Sequence, residues 1–177
     1  MRRIALTLAS CIDALNEGVG RVLVAAMPFV IVIAAAVVVL RYAFHVGFPW
    51  LSEAFIWLNG LTVALGAGYV LKHEKHVRVD VLFKDFAPGG KALVNILGVL
   101  LLLWPAMYIL WQFAWPFAMR SIRMGEGSAT AGGLPAMYVM KTSVLVFSAL
   151  CSLQGLALVL RSLNILFPAR SESASHV

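Results

Sequence analysis

Four runs without a charged residue or a histidine constrain this chain more than any other feature: residues 22–40, 54–71, 92–119 and 142–160. A helix needs roughly 20 predominantly apolar residues to cross a hydrocarbon core about 30 Å thick. Open strands and irregular loops cannot make that crossing, because lipid offers their backbone groups no partners. In a chain 62% hydrophobic and only 12% charged, these runs predict an all-α integral membrane protein with four transmembrane helices. The expected organisation is an amphipathic interfacial helix over 1–21, a four-helix membrane domain over 22–165 and a cytoplasmic tail over 166–177.

Orientation follows from the basic residues. Ten of the 14 Lys and Arg fall in the N-terminal segment, the loop between the second and third runs, and the C-terminal tail. Arg41, Arg120, Arg123 and Lys141 are on the other side. Cytoplasmic loops retain positive charge, so both termini are expected inside. Tyr42, Trp50, Trp115 and Tyr138 then fall at the outer interface, where amphipathic rings are favoured. The net charge of +6 reads as these topology markers, with membrane lipids as neighbours and no nucleic acid partner. Cys11 and Cys151 are too far apart along the predicted helices to form a disulfide.

In residues 1–21, Ile4, Leu8, Ile12, Leu15 and Val19 recur at helical spacing. They predict an amphipathic helix lying in the inner interface before the chain turns into the first span. Between the second and third spans, Val79, Leu82, Phe83 and Phe86 predict a short interfacial segment ended by Pro88-Gly89-Gly90. Its basic residues would sit among anionic headgroups, each contributing about 1 kcal/mol near the surface. The run at 92–119 would be about 42 Å long at 1.5 Å per residue, so it must tilt, bend or protrude. Pro105 favours a kink within it.

Small residues let helices approach closely in lipid, where no hydrophobic drive brings them together. Gly60, Ala64 and Gly68 recur every four residues, with Trp57 and Glu53 on much the same side, and this face is expected to meet a partner subunit. Ser148, Ser152 and Gly155 form a weaker stripe. Asn59, Thr62, Asn95 and Gln112 are expected as hydrogen-bonding groups between helices. Arg41 and Trp50 mark the outer interface, with two readings open for Arg41: snorkelling into headgroups, or pairing with Glu53 across the hairpin. Nothing in the pattern suggests a catalytic, metal or cofactor site, and His73 and His76 read as solvated side chains.

The order of motifs nevertheless carries a resemblance. Arg41-Tyr42 closes the first span, Trp50 and Glu53 open the second, Gly66-Ala67 follows, and then His76 with Asp80. Together with the GEGSATAGGLP loop and the LQGLALVLR ending, these resemble the small membrane subunit of tripartite ATP-independent periplasmic (TRAP) transporters. One departure is that members often carry two adjacent acids where this chain has only Glu53. The resemblance implies a non-enzymatic scaffold subunit in the bacterial inner membrane. Its implied partners are a large membrane subunit, which translocates a small organic acid on an ion gradient, and a periplasmic solute-binding protein. Two other classes are a homodimeric four-span exporter, which would use a membrane carboxylate, and a haem-bearing respiratory anchor. The anchor would need histidines inside the spans, and His45, His73, His76 and His176 all lie outside them.

Overall fold

The computed structural model describes residues 2–73 and 87–167, and among these every regular element is helical. Helix α1 covers Arg2–Tyr42 and α2 covers Pro49–Lys72. The third, α3, runs over Pro88–Met124 and the fourth, α4, over Met137–Leu166. All four are long and apolar enough to cross a membrane. Local chemistry sets several ends. Pro49 and Pro88 occupy the first turns of α2 and α3, where a missing N–H costs nothing. Gly125 ends α3 in the left-handed conformation, with φ of 59°.

The first correction concerns the N-terminus. No turn separates residues 1–21 from the first span: α1 is unbroken for 41 residues, about 60 Å at 1.5 Å rise. The side of its first half covered by the rest of the chain takes in Ile12 of the expected apolar stripe together with residues outside that stripe. Ile4, Leu8 and Leu15 are exposed, whereas Ala9, Ile12, Asp13, Asn16 and Gly20 are buried. Ala9 and Ile12 pack on Ala157 of α4, with Leu156 and Leu160 alongside. Two small residues, Ala9 and Ala157, allow that approach, which the larger aliphatics would have prevented.

Helix α4 is the spine. Helices α1 and α2 pack on each other and on α4, and α3 packs on α4 as well. Half of the most apolar stretch of α4 is buried, against 6% for each of the other three helices. Ser143, Ser148, Cys151, Gly155, Ala157 and Ser162 are all buried, so small side chains supply the close approach on more than one side of it. Against α3, Gly155 lies under Val99, Leu103 and Trp104. Trp104 Nε1 donates to the Ser152 carbonyl at 3.3 Å, and Ser148 Oγ donates to the Met107 carbonyl at 3.0 Å.

Pro105 acts on the turn that precedes it. Val99–Leu103 is a π segment in which the Trp104 N–H bonds back to the Val99 carbonyl. The proline has no N–H for the Leu101 carbonyl, and one widened turn accommodates that loss and the ring. The short interfacial segment expected between α2 and α3 and the tail beyond 167 lie outside the described residues.

Candidate functional site

Two polar clusters organise the bundle, one at each end. One is built on Glu53, in the second turn of α2. Its carboxylate accepts hydrogen bonds from Ser128 Oγ and, at 2.7 Å, from the Leu134 N–H. Ser128 Oγ also accepts from the Thr130 N–H at 3.0 Å. Gly133 is pressed onto the same carboxylate: a Cβ there would lie 2.6 Å from Glu53 Oε2 and 2.7 Å from Ser128 Cβ. Glu53 therefore pins the loop between α3 and α4 across the mouth of α2. Glu126 fastens the base of that loop. Lys141 Nζ donates to it at 2.5 Å and lies 4.2 Å from the centre of the Phe117 ring. The ammonium beside it holds the Glu126 carboxyl below the usual carboxylate range. This tether is complete at neutral pH and is lost only as pH falls through that lowered value.

Arg41 does not pair with Glu53. It is exposed and reaches Ser52 Oγ at the long distance of 3.5 Å. Trp50 is 48% exposed. Replacing Glu53 with Ala should therefore release the loop without affecting Arg41. The expected result is cleavage within 125–136 by an added protease at least several times faster than in the wild type. An unchanged cleavage rate would show that the carboxylate does not hold the loop.

The face expected to meet a partner is in large part occupied within the chain. Gly60 lies under Met140 of α4, where a Cβ would come within 2.8 Å of the methionine methyl. Gly68 is buried against Asn16 of α1 and Leu150 of α4. Trp57 and Ala64 are half-buried. Of the four side chains expected to bond between helices, two bond within their own helix instead. Thr62 Oγ1 bonds its own helix at Leu58, Gln112 bonds Tyr108 one turn away, and Asn59 is exposed. Asn95 is half-buried on α3.

Gln154 makes two further bonds across helices, both to α1. Its Oε1 accepts from Asn16 Nδ2 at 2.7 Å and its Nε2 donates to Asp13 Oδ1 at 2.9 Å. Arg161, two turns further along α4, forms an ion pair with Asp13. These four side chains clamp the N-terminal half of α1 onto α4 at the end opposite Glu53. Beside them Glu17 takes Lys72 at 2.6 Å, His73 at 2.9 Å and Arg21 at 3.3 Å, which joins α1 to the end of α2. One signal for this cluster was present in the sequence. Asp13 and Asn16 stand about one turn apart and so share one face of α1, and the fourth run carries a lone glutamine. His76 and Asp80 lie outside the described residues.

Residues 30–164 match the family model for tripartite ATP-independent periplasmic transporters, DctQ component. No curated protein and no solved structure matches the chain.

Proposed function

This chain belongs to the DctQ family of TRAP transporter components, and from that premise we propose a scaffold role for it within such a transporter. On this reading it packs beside the large subunit that translocates a small organic acid in symport with an ion gradient. It sits in the bacterial inner membrane with both termini cytoplasmic, and a periplasmic solute-binding protein supplies the substrate.

The observation that carries this reading is the unequal burial of the helices. Helix α4 is covered by its neighbours, while α1, α2 and α3 keep their outward apolar faces uncovered. A bundle built on one central spine is a broad support with much surface left for lipid and for a second subunit. The polar groups add rigidity to that support. Glu53 holds a loop, and Asp13, Asn16, Gln154 and Arg161 hold a helix pair. An exporter using Glu53 as its coupling carboxylate would first have to break its bonds to Ser128 and Leu134. Because Gly60 and Gly68 face inward, the large subunit is assigned to the outward apolar faces.

Purification in a gentle detergent should recover a large polytopic membrane protein with this chain, and deleting the chain should abolish uptake. Uptake that survives deletion, with this chain running monodisperse and unaccompanied, overturns the reading.

A further inference from the structure

An open groove of about 580 Å³ runs between α1 and α2, with Leu23, Met27, Thr62, Gly66 and Val70 on its walls and Phe147 of α4 behind them. The walls are apolar in effect, because the Thr62 hydroxyl is turned onto the Leu58 carbonyl at 2.8 Å. From Gly20 to Met27 the groove follows α1 for about 10 Å. Tyr69 closes its inner end, with its ring laid on Gly20 where no Cβ would fit.

Just beyond that end the chemistry changes. The Tyr69 ring is 4.4 Å from the His73 ring. His73, Lys72 and Arg21 all converge on Glu17. Two permanent cations around one carboxylate leave one positive charge over, before any proton on His73 is counted. The Arg21 side chain is 78% exposed, so most of its guanidinium is free to bind another anion. An apolar slot between membrane helices that ends in excess positive charge matches an amphiphile with one anionic end. A partner helix would satisfy the apolar wall but not the charge at its mouth.

We propose that this groove binds one anionic phospholipid, its acyl chain lying between α1 and α2 and its phosphate held by Arg21, Lys72 and His73. Glu17 acts as the positioning residue that gathers the three basic side chains. Only the upper part of the chain is gripped, since the groove is shorter than a full acyl tail and opens to the bilayer. The proposal rests on packing within this chain and is independent of the transport reading.

The test places the full chain in nanodiscs of phosphatidylglycerol or of phosphatidylcholine with the same acyl chains. The lipid retained after mild detergent release is then counted by native mass spectrometry. One phosphatidylglycerol per chain is expected, preferred over phosphatidylcholine by about fivefold for each basic side chain engaged. Arg21→Gln, at an exposed position, should cut retention about fivefold. Gly66→Leu should abolish it, because a Cβ there meets nothing nearer than Leu23 Cδ1 at 3.6 Å and the side chain can extend into the groove. Equal retention of the two lipids, or retention unaffected by Arg21→Gln, overturns the proposal. So does cross-linking of a cysteine at Val63, on the groove wall, to a helix of a co-purified protein in place of lipid.

Discussion

Gly68→Leu is expected to prevent the bundle from closing. A single Cβ at Gly68 already overlaps Asn16 Oδ1 and comes within 3.3 Å of Leu150 Cβ. Both neighbours belong to other helices of the same chain, so no side-chain rotation at position 68 escapes both. Overpacking of this kind costs roughly 1–3 kcal/mol when the surroundings can shift. Here the atoms that must shift include Asn16, whose amide is bonded to Gln154, so the loss should be at the upper end of that range. The measurement is the thermal unfolding midpoint of the chain purified without any partner, with Gly98→Leu as the control. Nothing lies within 4 Å of a Cβ at Gly98, so the control should stay close to the wild type. If Gly68→Leu behaves like the control and impairs only association with a second subunit, then Gly68 belongs to an intersubunit face and the packing described above is wrong.

Arg161→Leu is expected to be the most damaging polar substitution. It leaves the Asp13 carboxylate, whose side chain is 12% exposed, beside Gln154 with no counter-ion. Removing one partner of a fully buried pair costs about 3–5 kcal/mol. The Arg161 side chain is 43% exposed, and solvent screening there lowers the expected loss to about 2 kcal/mol. The Asp13→Leu, Arg161→Leu double variant should recover part of that loss, since two apolar groups leave no stranded charge. A double-variant cycle on the unfolding midpoint reads the coupling directly. Purely additive losses would mean that the two residues do not act as a pair.

Both expectations concern residues whose importance depends on what lies across from them. The spans were legible because period and polarity are local: lipid excludes charge, and a run long enough to cross can be counted. The caps at Pro49, Pro88 and Gly125 are local in the same sense. The polar clamp was much less legible. Asp13 and Asn16 sit in a segment whose aliphatic spacing also describes an interfacial helix, and the periodicity carries no information about which side finds a partner. Ile4, Leu8 and Leu15 make the more regular stripe, yet Ala9, Ile12, Asp13 and Asn16 are the buried side. Small and polar residues win that competition because two helices in lipid gain more from close approach and a satisfied amide than from aliphatic bulk. The candidate interface on α2 met the same limit. Gly60 and Gly68 do mark a packing face, but a stripe of small residues cannot state whether the helix it receives belongs to the same chain.

From its residue order alone, this protein was bound to cross a membrane four times as helices, because uncharged runs of that length have no other stable arrangement in lipid. Its tertiary structure alone decided that α1 continues unbroken through its N-terminal half, that α4 is the spine, and that Glu53 holds a loop while Arg41 reaches towards Ser52. Those outcomes depend on distances between residues far apart in the chain, such as Asn16 to Gln154 and Glu53 to Leu134. A hydrogen bond is decided within a few tenths of an ångström, and only the assembled bundle brings its groups to that range.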